Sequence, residues 1–412
     1  MRRLIFVNRF FHPDHSATSQ ILSDLAFHLA ATGREIHVIA SPQIYDAPKA
    51  RLPNHEVVAD VRIHRVSSTG FGRAALLGRS IDYLSFYRSA WRRLAELSRP
   101  GDLVVAKTDP PLVSLVALAA ARRTGAGLIN WLQDLYPELA VALGVPFVRG
   151  PLAAGIAALR NRSLLAAEAN VAVGRLMRRK IEALKVPPAR IHVIANWCDD
   201  LEIKPVAHTD NPLRRLWGFE DKFVFGYSGN LGRAHEFATV LGAAEKLRGD
   251  SRLIFLMIGG GKLFDTLRNA VAERDLAGSF RFKPYQDRAS LPHSLGVCDA
   301  HWLSLNPKLE GLIVPSKFYG IAAAGKPVVV IGANEGELAR LVHEHRCGVV
   351  IEPGDAQALA GTLRRLAQEP QSVAAMGCRA RAMLDAHFTR QQAFERWRDL
   401  LERLDRSADP AC

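Results

Sequence analysis

The sequence predicts an α/β protein with two Rossmann-like, doubly wound parallel-sheet domains. Two observations indicate this fold class. Short β-branched or apolar runs alternate with helical stretches in two successive series, as parallel βα units do. The length agrees, because 412 residues at about 150 per domain give two or three compact units. We expect the two domains to face each other and to bind ligands at the carboxyl ends of their strands.

The two series lie on either side of the segment NWCDDLEIKPVAHTDNPL, where Asn, Asp and Pro accumulate and which we interpret as a linker. The first series has strands at LIFVN, EIHVIA, DLVVA, GLINWL and NVAVG, with helices over residues 19–31 and 111–123. The second has strands at FVFGYS, RLIFLMI, FRFKPY, AHWLSL, PVVVI and GVVIE, with helices over residues 236–247, 264–274, 316–324 and 355–367. The predicted domains are residues 1–195 and 196–385.

A last helix is predicted within residues 386–412. Thr389 and Gln392 have the spacing of a capping box at its start. One apolar stripe follows at helical spacing, made of Phe394, Trp397, Leu401 and Leu404. The stripe is expected to pack on the second domain, with the further expectation that the helix extends to the first domain and docks there.

Composition excludes several protein classes. With 48% hydrophobic and 23% charged residues the chain is an ordinary globular protein. Its five cysteines are scattered and form no CxxC, which argues against disulfides and zinc and favours a reducing cytosol. The N-terminal apolar run is too short for a signal peptide, and no apolar run approaches the ~18 residues that cross a bilayer.

The positive charge is concentrated in the first half. Of the formal +13, residues 1–200 contribute +10, from 26 Lys and Arg against 16 Asp and Glu. Nucleic acid, an anionic membrane leaflet or a phosphorylated substrate would each explain this bias, and so would solubility alone.

Near the C-terminal end, VPSKFYGIAAAGKP places a cation before a small-residue helix. Pro315 and Ser316 suit a helix start, with Ser316 as the expected N-cap. A helix start favours an anion and disfavours the charge of Lys317, so an anion resting there would remove the conflict. A solvated surface lysine is the alternative.

Three loops after second-series strands carry ligand-binding features. FGYSGNLGRAHEF supplies Gly229 and Asn230 for close approach and Arg233 for phosphate oxygens, although a plain tight turn is the alternative. MIGGGKL is a second glycine-rich loop after a strand and includes Gly260. FKPYQDRASL supplies Tyr285, which could pack on a nucleotide base or simply be exposed. None of these loops is a GxGxxG fingerprint.

Two first-series loops carry polar groups. FFHPDHSATSQ enters a helix with the hydroxyls of Ser16 and Thr18 at or near its N-cap, and lacks the lysine of a P-loop. WLQDLYPELA places Asp134 after a strand whose carboxyl end should face the cleft, where it either caps a turn or takes part in chemistry.

With these pieces in view, the sequence resembles the retaining GT-B glycosyltransferases of family 4, in the bacterial branch that makes capsules, colanic acid and O-antigen. The resemblance spans essentially the whole chain. It is carried by FFHPDHSATSQILSDLAFHLAATGREIHVIAS, WLQDLYPE, IHVIANWCD, SGNLGRAHEF, MIGGG and VPSKFYGIAAAGKPVVV. It implies a hexosyl- or N-acetylhexosaminyltransferase that holds a nucleotide-sugar in the second domain and a glycan acceptor in the first, with no metal or other cofactor.

The resemblance also implies roles for individual residues. Charge stabilisation and positioning are assigned to Arg233, Lys317 and Asp134. The donor-binding set is Ser16, Thr18, Gly229, Asn230, Arg233, Gly260, Tyr285, Glu310, Pro315, Ser316 and Lys317. Two departures stand out: the second cation of the family falls on His235, and Gly320 stands where a ribose-binding glutamate is frequent, leaving Glu310 the only nearby carboxylate.

Acceptors in this branch are often linked to polyprenyl diphosphate, which implies peripheral binding to the cytoplasmic face of the inner membrane. A contact is predicted in LLGRSIDYLSFYRSAWRRLAEL, through Tyr83, Arg88, Trp91, Arg92 and Arg93. Packing of those aromatics inside the domain is the alternative. The competing functions are a nucleotide-sugar 2-epimerase of the same fold and a basic nucleic-acid-binding protein, the latter without any recognised module.

Overall fold

The computed structural model describes residues 1–45, 51–71 and 76–407. The chain divides into two compact units. Unit 1 consists of Met1–Ala195, Gly311–Ile313 and Ala393–Cys412, and unit 2 of Asn196–Glu310 and Val314–Gln392. The end of the predicted last helix, residues 408–412 with Cys412, lies outside the described residues.

Unit 1 contains an eight-stranded sheet in the order β3-β4-β2-β1-β5-β6-β7-β8. Its strands are β1 Leu4–Val7, β2 Ile36–Ala40, β3 His55–Val58, β4 Val61–Arg65, β5 Leu103–Lys107, β6 Gly127–Leu132, β7 Ala169–Ala172 and β8 Ile191–Val193. Its first six helices are α1 Ala17–Ala31, α2 Leu76–Leu97, α3 Val113–Thr124, α4 Glu138–Ala142, α5 Gly150–Ala166 and α6 Arg175–Ala183. The strand order reverses between β1 and β5, as in a doubly wound sheet.

One edge of this sheet departs from the predicted all-parallel arrangement. β3 pairs with β4 in antiparallel register, from His55 opposite His64 to Val58 opposite Val61. Ala59 and Asp60 between them both have positive φ, 46° and 62°, as a tight hairpin turn requires. The sequence analysis missed this hairpin because its strands are half polar and its turn lacks glycine.

The central strands of unit 1 are buried along their whole length. β1 is a continuous apolar run, and β2 and β5 are apolar except for His37 and Lys107, a pattern typical of a parallel sheet covered by helices on both faces. Side chains of α2 and α3, including Phe86, Leu94 and Ala117, pack on one face to form a core.

Unit 2 contains a six-stranded parallel sheet in the order β11-β10-β9-β12-β13-β14. The strands are β9 Phe223–Asn230, β10 Leu253–Gly260, β11 Phe280–Lys283, β12 Ala300–Ser304, β13 Val328–Ile331 and β14 Gly348–Ile351. The helices are α7 Pro212–Leu216, α8 Ala238–Lys246, α9 Phe264–Glu273, α10 Leu291–Gly296, α11 Lys317–Ala323, α12 Glu337–His345, α13 Ala356–Gln368 and α14 Pro370–His387. Here the order reverses between β9 and β12, which places the expected ligand edge at the end of β9.

The last helix is α15, Arg390–Ser407, and it begins as predicted. The amide of Gln392 donates to the hydroxyl of Thr389 over 3.2 Å, and the amide of Thr389 donates to the Gln392 side chain over 3.1 Å, which is a complete capping box. From Ala393 onward the helix belongs to unit 1. There Trp397 is fully buried with its ring centroid 4.8 Å from that of Trp131, and Asp405 pairs with Arg34 over 2.6 Å.

Candidate functional site

Two glycines allow the carboxyl ends of β9 and β10 to lie side by side. Gly229 and Gly259 are opposite each other in the ladder and have φ of 120° and 123°. A Cβ atom on Gly259 would lie 2.4 Å from the carbonyl oxygen of Gly229, which no side chain permits. The two strand ends therefore form one compact backbone platform at the edge where ligands of such sheets bind.

The ammonium group of Lys317 lies over this platform. Its nitrogen donates to the hydroxyl of Tyr227 over 2.8 Å and to the carbonyl oxygen of Asn230 over 2.9 Å. It also lies 4.8 Å from the centre of the Tyr227 ring, within cation–π range. A Cβ atom on Gly229 would be 2.5 Å from Cε of Lys317, so glycine leaves the space through which the lysine passes.

His235 faces the same ammonium group as a neutral imidazole. Its Nδ1 lies 2.6 Å from the carbonyl oxygen of Ser304, which can only accept, so Nδ1 carries the proton. Nε2 therefore presents a lone pair to Lys317 at 3.5 Å. Burial, and then the charge of Lys317, lower the pKa of His235 to about 3, so it is uncharged at neutral pH.

The three groups that contact the Lys317 ammonium, described above, carry no negative charge. Its hydrogen-bond partners among the described residues are a phenol, a backbone carbonyl and a neutral imidazole, and burial alone lowers the pKa of Lys317 to about 8. An ammonium has three protons, and two are directed to Tyr227 and Asn230. The arrangement favours an anionic ligand as the missing counter-charge.

Other predicted donor-site residues surround the platform in unit 2. Arg233 is exposed three residues beyond β9 and makes no hydrogen bond or ion pair within the described ranges. Tyr285 is 57% exposed, and its ring edge lies over Gly260, 3.2 Å from where a Cβ would be. The structure thus brings Gly229, Asn230, Gly260, Tyr285 and Lys317 together around the ends of β9 and β10.

The start of α11 differs from the expectation. Ser316 occupies the predicted N-cap position before Lys317, but its backbone angles are helical and its hydroxyl makes no capping hydrogen bond. Pro315 and Ser316 are half-buried. Gly320 lies inside this helix, and a Cβ there would meet only Leu295 at 3.7 Å, an ordinary contact.

Glu310 has a structural partner. Its carboxylate accepts a hydrogen bond from the backbone amide of Glu337 over 3.1 Å and so caps the first turn of α12, where Gly336 offers no side chain. Burial raises the pKa of Glu310. One carboxylate oxygen is engaged in this way, which restricts the orientation in which Glu310 can meet a ligand.

In unit 1, Ser16 and Thr18 lie at the start of α1. Ser16 is at the N-cap position of that helix, as expected, but its hydroxyl makes no capping hydrogen bond. Instead its hydroxyl and its amide both donate to the buried carboxylate of Asp14, which also accepts from the amide of Tyr45. Thr18 is half-buried within the first turn.

Asp134 follows β6, as predicted. It forms a single antiparallel bridge with Ile313, and the next amide, that of Leu135, donates to the carbonyl of Leu312 over 2.9 Å. Its Oδ1 is buried without a hydrogen-bond partner in the described part of the chain. Burial and the nearby Asp109 raise the pKa of Asp134 to about 7, against a hydrogen bond from Thr108. The carboxyl group can therefore hold or release a proton near neutral pH.

Helix α2 divides the predicted membrane residues into two groups. Arg88, Trp91 and Arg92 are exposed, on the same side as Leu77 and Leu84, which are 80% and 65% exposed. Tyr83 and Arg93 are not part of this outer face: the Tyr83 ring lies 5.5 Å from the Arg9 guanidinium, and Arg93 hydrogen-bonds His64 over 2.9 Å. The five residues could not be separated from the sequence, because helical periodicity alone did not show which side of α2 packs on the sheet.

Tyr227 is the site residue that the sequence analysis missed. It lies in an apolar strand, and its burial against Trp302 makes it look like a core residue. Its one signal was its position two residues before Gly229.

Among the residues that the structure covers, no group of three or more His, Cys, Asp or Glu could hold a metal ion, and no helix is long and apolar enough to cross a bilayer.

Two family models match the chain. One, described as glycosyl transferases group 1, matches residues 212–383, and the other, described as a glycosyl transferase 4-like domain, matches residues 17–197. Together they include the ends of β9 and β10, Lys317 and Asp134.

Curated relatives and solved structures are similar over most of the chain. The probable glycosyltransferase WbjE of Pseudomonas aeruginosa is 25% identical over 74% of this chain and 75% of its own. The putative colanic acid biosynthesis glycosyl transferase WcaI of Escherichia coli K12 is 26% identical over 86% and 89%. Anabaena HepE, solved with UDP and glucose, has a TM-score of 0.72 at 16% identity, covering 98% of this chain and 100% of its own. That last likeness shows the GT-B type of fold.

Proposed function

Since the chain belongs to the group 1 and 4-like glycosyltransferases, we propose that it transfers a sugar, with retention of configuration, from a nucleotide-sugar to a glycan acceptor in bacterial surface polysaccharide biosynthesis. The assignment of WcaI to colanic acid biosynthesis and the UDP bound by HepE support this proposal. The acceptor we propose is a glycan linked to polyprenyl diphosphate.

The observation that carries the proposal is the uncompensated ammonium group of Lys317. The diphosphate of the donor is the anion we place against it, and we assign Arg233, in the loop that follows β9, as the second cation. Arg233 is exposed and free within the described ranges, so its planar guanidinium can turn towards phosphate oxygens.

This arrangement suits the chemistry of glycosyl transfer. As the bond from the anomeric carbon to the diphosphate breaks, negative charge grows on the leaving oxygen, and fixed cations stabilise that charge. No proton transfer to the leaving group is required, since positioning and charge stabilisation carry most of the work. Loss of either cation is expected to reduce turnover by about 10² to 10³.

Asp134 is proposed to orient the acceptor hydroxyl or a hydroxyl of the transferred sugar. Its buried carboxyl group has a free acceptor oxygen and a pKa near neutrality. An acceptor hydroxyl could fill the position of the missing hydrogen-bond donor. Glu310 and Tyr285 are proposed to contact the sugar and the base of the donor.

We propose a peripheral contact with the inner membrane through the outer faces of α2 and α5. Both helices pack against α3. α5 and the preceding loop expose Leu152, Leu159, Leu165 and Phe147, the last to 81%. α5 contains no acidic residue, while Arg88 and Arg92 of α2 add positive charge, a combination that fits an anionic leaflet.

Donor titration tests the proposal. UDP-, GDP- and dTDP-sugars are titrated into the wild type and into Lys317→Ala and Arg233→Ala variants, with Lys246→Ala as a control, since Lys246 is exposed at the far end of α8. One nucleotide should bind the wild type and the control alike and bind both variants more weakly. Unchanged binding in both variants would refute the diphosphate site. Product analysis with donor alone separates transfer from 2-epimerisation, which consumes no acceptor.

A further inference from the structure

A second pocket lies at the β8 edge of the unit 1 sheet, apart from the loops described above. It has a volume of about 270 Å³ and is walled by α6, β8 and α15. The residues that α15 contributes, Arg396, Asp399, Leu400 and Arg403, are spaced as one helical face. Edge strands leave backbone N–H and C=O groups unpaired on their outer side, so β8 adds hydrogen-bonding groups to this wall.

Most of the charged side chains that line the pocket are positive. Arg178, Arg396 and Arg403 line it together with His192, against the single carboxylate of Asp399. Arg178 contacts Glu182 through Nε over 2.7 Å, which leaves its two terminal nitrogens for another partner. Arg403 makes no hydrogen bond or ion pair within the residues that the structure covers.

Two of these arginines converge on one histidine. The pKa of His192 is lowered by burial and then by the charges of Arg403 and Arg178, so both guanidinium groups lie close enough to act on the same ring. Like charges held around one point repel each other, and an anion between them relieves that repulsion. Ile191 and Leu400, both buried, add an apolar part to the lining of the pocket.

We propose that this pocket binds a phosphate monoester. Guanidinium groups match phosphate oxygens in paired hydrogen bonds, and an arginine cluster is the usual protein partner of such a group. The volume is slightly below the ~300 Å³ at which pockets begin to enclose drug-sized ligands, which suits a small phosphate monoester better than a whole nucleotide-sugar. The binding is independent of the donor site in unit 2.

The bound phosphate would connect α15 to α6 within unit 1. Arg403 and Arg396 belong to α15, while Arg178 belongs to α6. A ligand bridging them stabilises the C-terminal helix against the sheet edge. The phosphate can come from a soluble metabolite or from a lipid headgroup, and the two sources share the same chemistry.

Glycerol 3-phosphate is the probe, titrated calorimetrically into the full chain at constant ionic strength, with glycerol as the uncharged control. Arg403→Glu should weaken binding at least about tenfold, since it removes one charged partner of the phosphate and adds a carboxylate. Arg398→Glu is the matched control, because Arg398 is exposed on the same helix and does not line the pocket. Circular dichroism without ligand establishes that both variants fold.

Phosphatidylcholine vesicles with and without phosphatidic acid distinguish the two sources. Binding only to phosphatidic acid vesicles, lost in Arg403→Glu and kept in Arg398→Glu, supports a lipid phosphate. Binding of glycerol 3-phosphate in solution with the same variant pattern supports a metabolite. The inference is overturned if neither probe binds, or if Arg398→Glu weakens binding as much as Arg403→Glu does.

Discussion

The ammonium nitrogen of Lys317 donates to the hydroxyl oxygen of Tyr227 over 2.8 Å, and that hydroxyl donates in turn to the carbonyl of Asn230 over 2.7 Å. The lysine and the tyrosine are 90 residues apart in the chain. Their contact fixes a cation at the carboxyl end of β9, and no carboxylate of the described residues is among the hydrogen-bond partners of that cation.

Donor binding should weaken at alkaline pH. Burial lowers the pKa of Lys317 to about 8, so the ammonium is present below that pH and is lost above it. Nucleoside diphosphate affinity should therefore be level up to about pH 8 and then fall by up to about tenfold per pH unit. Arginine stays charged throughout, so a Lys317→Arg variant that still binds should show no such decline. The same decline in the variant would contradict the assignment to Lys317.

Gly229→Ala should displace Lys317. The new Cβ would be 2.5 Å from Cε of the lysine, and Gly229 has a φ of 120° that favours glycine. We expect a loss of about 1–3 kcal/mol in unfolding free energy and weaker nucleotide binding. Gly232→Ala is the control, since a Cβ there meets no atom within 4 Å. Urea unfolding and calorimetry measure the two effects, and equal behaviour of the two variants would disprove the close-packing argument.

Asp134→Asn should change how stability depends on pH. Burial raises the folded-state pKa of Asp134 to about 7, above the unfolded value of about 3.9. The folded state then binds more protons between these values, so this residue reduces stability progressively as pH rises from about 4 to about 7. The variant lacks this loss, and its unfolding free energy relative to wild type should increase over that window. Parallel curves for the two proteins would show that Asp134 titrates normally.

The same variant also tests the proposed role of Asp134 in transfer. If the ionised carboxylate orients the acceptor hydroxyl, turnover of the wild type should fall as pH drops below about 7. Asp134→Asn should be slow and lack that inflection, with donor affinity unchanged. A variant with wild-type turnover would remove Asp134 from the mechanism.

Charge reversal on α2 should weaken vesicle binding. Each basic residue near an anionic surface contributes about 1 kcal/mol, so Arg88→Glu with Arg92→Glu should cost at least about 2 kcal/mol, or about 30-fold in affinity. Arg215→Glu with Arg248→Glu applies the same charge change to exposed positions of unit 2 and should have little effect. Co-sedimentation with anionic vesicles measures both. Unchanged pelleting of the α2 variant would refute the contact.

Much of the fold followed from local sequence signals. The buried strands β1 and β10 are continuous apolar runs, and β5 is apolar up to Lys107. The capping box of Thr389 and Gln392 depends on residues three apart, so neighbouring positions suffice to predict these elements. The β3–β4 hairpin was missed because Ala59 is not a typical turn former and no glycine accompanies Asp60. Pairing across the sheet, rather than local preference, holds that turn.

The candidate site was predicted less completely, because side-chain direction depends on contacts far apart in the chain. Lys317 and Arg233 could be predicted as site residues from their loops. The sequence did not show that the Lys317 side chain passes beside Gly229 and donates a hydrogen bond to Tyr227. His235 could be aligned with a cationic position, yet its neutral state follows from the carbonyl of Ser304. Ser316 has the right residue type for a cap, and its helical backbone excludes that role.

Trp397 links the C-terminal helix to the first 195 residues of the chain. Its indole fills space beside Trp131 in the interior of unit 1, although 265 intervening positions separate them and most of those build unit 2. An expression fragment that ends at Ala195 would lack the Trp397 side chain, and Trp131 would then be exposed to water. Dissecting the enzyme for separate study therefore calls for a fusion that returns the terminal helix to the first 195 residues.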